Sequence, residues 1–272
     1  MSEEALPAAP GETPSLPARL QELVLHAIEQ IGGVGQLAGR TARALLRRPF
    51  ELGAVIEQVE AIGVQSVSIA ALTAIFSGMV MTVQFAVQMG RFGAKEYVGT
   101  VVALSLVREL GPGLTALMVG GRVGAGIAAE LGSMAVTEQV DALRSMGADP
   151  VRKLVLPRVL ATVLVLPLLT AFADVIGIAG AMVIAWATED THMTYFVSGV
   201  LRSVKLSDFV GGLLKTLVFG LLISLIACYQ GLTTTGGTEG VGQSTTRTVV
   251  ICSIATLVSD FILTNLLMTF GF

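Results

Sequence analysis

Three charged residues sit inside long apolar runs of this 272-residue chain: Arg108 and Glu109 in LVRELGPG, and Lys215 in GGLLKTLVFG. If those runs cross a bilayer, each charge near the centre costs roughly 2.5 to 3.5 kcal/mol, so it faces a partner or a cavity. Arg108 and Glu109 lie about 11 to 12 residues into their run, roughly 17 Å along a helix and close to mid-membrane. Neighbours in sequence point about 100° apart on a helix and cannot neutralise each other side by side. Glu109 therefore needs another cation, and Lys215 is the candidate. Together the three residues would line a mixed polar and apolar chamber suited to an amphiphile, or lock helices together as a structural ion network. Asp174 and Asp260 also lie in apolar runs. Neither stands in the GxGD of an intramembrane aspartyl protease, and Ser77, in FSG, is not in a rhomboid-type GxSG. Both aspartates read as helix-packing or gating carboxylates.

Composition gives the elements that must carry these groups. Hydrophobic residues make up 53% of the chain and charged residues 14%, with mean hydropathy +0.77, against about 25% charged in a soluble domain. This is the composition of a membrane protein. Long apolar stretches define five spans of about 20 or more residues: the charge-free 61–90, 97–129 (interrupted by Arg108, Glu109 and Arg122), 159–187 with Asp174 inside it, 209–232 with Lys215 and 248–270 with Asp260. The expected fold is all-α, with five transmembrane helices preceded by an N-terminal interfacial amphipathic helix. Residues 1–15 read as a disordered cytoplasmic tail, 16–60 as the amphipathic helix and a basic linker, and 61–272 as the five-span domain. In the amphipathic helix, Leu16, Leu20, Leu23, Val24, Ala27, Ile28 and Ile31 recur at helical spacing. Arg40, Arg43, Arg47 and Arg48 follow and suit an anionic membrane surface, although the helix could equally pack on the protein.

The basic residues orient the chain. Arg19, the four arginines from 40 to 48, Arg144, Arg152, Lys153, Arg158 and Arg247 fall on one side; only Arg91, Lys95, Arg202 and Lys205 fall on the other. The N-terminus is then cytoplasmic and the C-terminus periplasmic. Residues 189–208 become an outside segment, and 130–157 the main cytoplasmic loop. Within that loop, residues 137–147 favour a short helix, ended by Gly147 and blocked by Pro150. Its Val140, Leu143 and Met146 form an apolar edge on a helix too short to stand alone. It wants a partner surface, or lies as a plain connector on the membrane. A second loop, 233–247, is too glycine-rich for a helix, turns at Gly236 and Gly237, and offers Ser244, Thr245 or Thr246 as a cap for the fifth span.

Several chemistries are excluded or weakened. Twenty acidic against 17 basic residues give a net charge of -3, which attracts no nucleic acid. Cys228, Cys252, His26 and His192 lack metal-ligand spacing. None of Lys95, Lys153, Lys205 and Lys215 follows the glycine that a GxxxxGK[ST] phosphate loop requires; the nearest approach is GGLLKT, 211–216. Any ATP is hydrolysed by another chain. Gly124-Ala125-Gly126 has no preceding strand, and Gly120 with Gly124 reads better as a GxxxG packing pair.

The runs TEQVDALRSMGADPVRKLVLPR, LVRELGPGLTALMVGGRVGAGIAAELG and TTRTVV resemble the MlaE/YrbE permeases, the membrane subunits of MCE-type ABC lipid transporters, over about residues 50 to 272. The resemblance implies a homodimer in a bacterial inner membrane, with two cytoplasmic ABC ATPase subunits that bind ATP and Mg. It also implies a periplasmic ring of MCE-domain proteins and a small cytoplasmic STAS-domain subunit. Such an assembly moves phospholipids between inner and outer membranes and maintains outer-membrane lipid asymmetry. By the same resemblance, Arg108, Glu109 and Lys215 border the lipid path. The segment from Thr137 to Pro150 is the coupling helix, with Glu138, Gln139, Asp141, Leu143, Met146, Gly147 and Pro150 at the ATPase interface. The chain itself carries no catalytic residue, metal or cofactor on this reading. A secondary transporter of an amphiphilic solute should instead show internal repeats, and a membrane scaffold needs no buried ion pair.

Overall fold

The computed structural model describes residues 16–46, 52–187 and 193–269. The tail 1–15, with Arg47, Arg48 and Phe272, lies outside the described residues. Among those described, nine α-helices follow one another: α1 (Leu16–Leu45), α2 (Leu52–Arg91), α3 (Val98–Ser105), α4 (Gly111–Val136), α5 (Gln139–Ser145), α6 (Leu156–Ala187), α7 (Met193–Ser203), α8 (Leu206–Leu232) and α9 (Gly237–Thr269). A π-turn, Leu106–Leu110, joins α3 to α4, and a second, Val151–Val155, leads into α6. Five stretches are long and apolar enough to span a membrane: α2, Lys95–Val136, Val151–Ala187, α8 and α9. The expected five spans are all present, and the chain is a multi-pass membrane protein.

The helices run past the charge-free stretches that predict them. The first span begins at Leu52, because Glu57 and Glu60 end the apolar run without ending the helix. The segment expected to be a loop, 233–247, is a loop only to Gly236. Gly236 and Gly237 take positive φ of 88° and 67°, and helix follows at once, so Thr245 and Thr246 donate to the Gly242 carbonyl inside α9 and do not cap it. Packing overrides poor helix propensity here: Ser244 donates to the Gln230 carbonyl at 3.0 Å, and Gly240 lies against the backbone of Thr235. The expected outside segment, 189–208, contains the helix α7, whose Phe196 and Val200 are buried against Val98 and Val102 of α3.

α2 lies along α6, and the approach is backbone to backbone. A Cβ on Gly78 would strike the Gly177 carbonyl, and one on Gly180 the Ile75 carbonyl. The GxxxG pair does receive neighbouring helices, Gly120 meeting Ile223 of α8 and Gly124 meeting Thr248 and Cys252 of α9. The main core gathers Val119, Leu131, Val155, Leu166, Phe219 and Ile223. Inside it, Thr82, Thr162, Thr170 and Ser224 satisfy their hydroxyls on carbonyls one turn back, the usual solution where no water is available. The outer faces of α2 and α9 stay apolar and exposed, for instance at Phe76, Val80, Leu257 and Phe261.

α1 packs on the protein with one face and leaves apolar residues on another exposed. Leu37, Thr41 and Ala44 are buried against the bundle, while Ile28, Ile31 and Leu46 face outward. The stripe residues Leu16, Leu20, Leu23, Val24 and Ala27 lie outside the described side chains.

Candidate charged site within the spans

Arg108 and Glu109 lie in the π-turn Leu106–Leu110. π-turns recur at functional positions because the extra residue re-aims its neighbours. The two side chains go to different partners on α8. Arg108 Nε donates to Asp208 Oδ1 at 3.0 Å, and its Nη2 reaches the same oxygen. The other oxygen of Asp208 accepts the Lys205 N–H at 2.9 Å, so one buried carboxylate holds the arginine and caps α8. Glu109 Oε2 meets Lys215 Nζ at 2.7 Å. The expected cation is thus the observed one.

Lys215 is a hub. Its ammonium, on a side chain only 3% exposed, also donates to Thr264 Oγ1 at 2.7 Å and to the Arg108 carbonyl at 3.1 Å, and lies 3.3 Å from Asp260 Oδ1. Thr264 donates on to Glu109. The cluster holds three carboxylates, Glu109, Asp208 and Asp260, against two cations. Arg108 and Glu109 remain 40% exposed, and the notch they border encloses about 30 Å³, room for a water molecule and no lipid.

Sequence reasoning passed over Asp208 and Thr264 and gave Asp260 no partner. The signal was present in spacing: Asp208 and Lys215 are two turns apart on α8, and Asp260 and Thr264 one turn apart on α9, so each pair shares a face. Asp174 stands apart from the cluster, buried against Gly111, with one oxygen lacking a hydrogen bond. Arg122 reaches Gln65 and Ser66 of α2. Arg158, expected in a loop, is buried and pairs with Glu130 at 2.6 Å, tying the ends of α4 and α6 together. Removing Asp208 should cost the α8 cap as well as the arginine's partner. Asp208→Ala is expected to lower stability by about 2 kcal/mol, and Asp208→Asn, which keeps an acceptor, by about half that. Thermal unfolding in detergent checks the order.

At the opposite end of the bundle lies the short helix predicted for 137–147. It is formed over Gln139–Ser145, after Glu138 in a left-handed conformation (φ 60°) and before Gly147 (φ 77°). Gln139, Asp141, Met146 and Gly147 are exposed, Leu143 is half-buried and Pro150 buried. The apolar edge is split, since Val140 turns inward to the chain's own core while Met146 projects outward. Asp149 accepts the Val151 N–H at 3.0 Å and starts the next helical segment.

With this geometry in place, comparison with known proteins decides the family. The family model described as "Permease MlaE" matches residues 55–266. The chain belongs to the MlaE permease family. A probable ABC transporter permease protein of Rickettsia felis is 40% identical over 238 residues, covering 88% of this chain and 92% of that one. A probable ABC transporter permease of Synechocystis is 43% identical over 231 residues, covering 85% and 88%. The chloroplastic protein TRIGALACTOSYLDIACYLGLYCEROL 1 of Arabidopsis thaliana is 38% identical over 229 residues, covering 84% and 65%. This MlaE-family permease is therefore a transporter's membrane subunit, and the matched region begins in α2 and ends in α9, enclosing both the ion cluster and α5.

Proposed function

We propose that this permease is the membrane half of an ATP-driven transporter that moves phospholipids between the inner and outer membranes of a bacterial envelope. The observation that carries the reading is the half-exposed ion cluster among apolar spans. A guanidinium at its mouth can take a phosphodiester, and its surplus carboxylate can take a headgroup amine, while the surrounding apolar wall accepts acyl chains. A homodimer would complete the chamber that one chain leaves as a notch. The relative named for a galactolipid is consistent with a lipid cargo. ATP and Mg would be bound by two partner ATPase chains, each docked on an α5, with an MCE-domain ring outside and a STAS-domain subunit inside. The N-terminus would be cytoplasmic, the C-terminus periplasmic, and α1 would rest at the membrane interface.

Native mass spectrometry of the gently extracted protein, with lipid analysis, tests this. Two copies of this chain with two ATPase chains and bound phospholipid are expected; a lone chain surviving the same extraction rejects the assembly. The docking site has its own test. Asp141 and Met146 are 69% and 73% exposed, so Asp141→Arg with Met146→Arg should leave the spans folded and release the ATPase, seen as loss of co-purification. Retention of the ATPase would remove α5 from that interface.

A further inference from the structure

We propose that the cleft between α1 and the segment following α5 is a binding site for the phosphate of an anionic lipid headgroup, separate from the ion cluster within the spans. The cleft measures about 670 Å³, within the range of small-ligand sites. Arg40 and Arg144 stand on opposite walls, and Tyr229 and Leu232 of α8 contribute further lining. A second hollow of about 270 Å³ shares Arg40 and Asp149 with it and adds Arg43 and Arg152.

The arginines of α1 have no structural work there. Arg40 and Arg43 are exposed and meet no acidic side chain among the described residues. On one helix they lie about 60° apart, where like charges repel. Glu29 and Asp149 stand in the same linings as Arg40, Arg43, Arg144 and Arg152; Arg144 is already shared with Asp141 and Arg152 has a partner of its own, so Arg40 and Arg43 are the two left to meet an anion. A phosphate offers oxygens that several guanidinium groups can hold at once.

The shared chemistry of a lipid headgroup and a free phosphate is the anion. The placement of α1 favours the lipid. Its outward apolar residue Ile28 lies about 60° round the helix from Arg43, on the side away from Arg40 and about three to four turns nearer the N-terminus, and Leu46, just past the end of α1, is exposed as well. A phosphate in the cleft would thus be held by a helix whose exposed apolar side chains, at Ile28 and Ile31, can meet acyl chains, as on an interfacial helix. Headgroup binding would tie α1 to the segment that trails α5. This holds whatever cargo the spans carry.

The test titrates the delipidated full chain in detergent with phosphatidylglycerol, phosphatidylcholine or inorganic phosphate and counts adducts by native mass spectrometry. Arg40→Gln with Arg43→Gln should weaken phosphatidylglycerol binding about 30-fold, from the loss of two headgroup-facing charges. The charge-matched Arg91→Gln with Arg202→Gln, at exposed positions away from the cleft, should leave it unchanged, as should either double variant for phosphatidylcholine. Equal weakening by both doubles, or none by the first, overturns the site. Inorganic phosphate that displaces the lipid at comparable concentration overturns the lipid assignment in favour of a soluble anion. Release of the ATPase by the first double, with lipid binding intact, would make the cleft a protein contact.

Discussion

Replacing Lys215 by methionine is expected to be the most damaging single change to the ion cluster. The methionine fills much of the same volume but leaves Glu109 and Asp260 facing each other without the ammonium that lies 2.7 Å from one and 3.3 Å from the other. Stranding a fully buried charge costs about 3 to 5 kcal/mol; the carboxylates left here are 40% and 23% exposed, so the low end, about 3 kcal/mol, is expected. The thermal unfolding temperature in detergent should fall by roughly 5 to 10 °C. The triple change Lys215→Met, Glu109→Gln and Asp260→Asn should recover most of that loss, because no charge is then unpaired, while transport stays impaired. The geometry also corrects the simplest exchange experiment. Swapping Glu109 and Lys215 puts a new carboxylate beside Asp260, so the swap restores stability only when Asp260→Asn accompanies it. A Lys215→Met protein that unfolds like the parent would show that the cluster is not energetically coupled.

Gly78→Ala should rank close behind, through a different mechanism. The added methyl would run into the Gly177 carbonyl oxygen, a backbone atom that cannot swing aside as a side chain can. α2 and α6 must separate along their length, and overpacking of this kind costs about 3 kcal/mol. Gly180→Ala meets the Ile75 carbonyl and should behave alike. Gly126→Ala provides the contrast: nothing lies within 4 Å of its added methyl, and alanine is the better helix former by about 1 kcal/mol. Unfolding of the three variants in one detergent decides the matter. Equal behaviour of Gly78→Ala and Gly126→Ala would mean that the close approach is not what holds α2 to α6.

The span count and the Glu109–Lys215 pair were legible because a bilayer makes apolar length and stray charge expensive, and both are plain in sequence. Helix ends were less so. Counting charge-free residues finds the buried length of a helix, and α2 and α9 continue in polar sequence beyond it. Asp208 was hidden for the opposite reason: it reads as a loop residue, and only folding shows that its capping role brings it to Arg108. The apolar edge of α5 was half read, since Val140 serves the chain's own core and only Met146 is offered outward. Arg158 illustrates a further limit, as nothing local announces that an arginine beside a proline becomes buried against Glu130.

The length of α9 carries a mechanical consequence. Its 33 residues make a rod of about 50 Å, against an apolar layer of about 30 Å. From Thr245 to Thr269 it contains neither proline nor glycine, so it has no such break between Thr245 and the Asp260 and Thr264 that close the ion cluster roughly 20 to 30 Å further along. It is buried at Thr248, Cys252 and Thr256, with Ile251, Ala255 and Leu263 also packed on the core, and Thr248 and Cys252 sit against Gly124 of α4. A stretch with neither glycine nor proline would pass a displacement at Thr245 on to Asp260 and Thr264, and so to the ion cluster, without any residue in between changing its conformation.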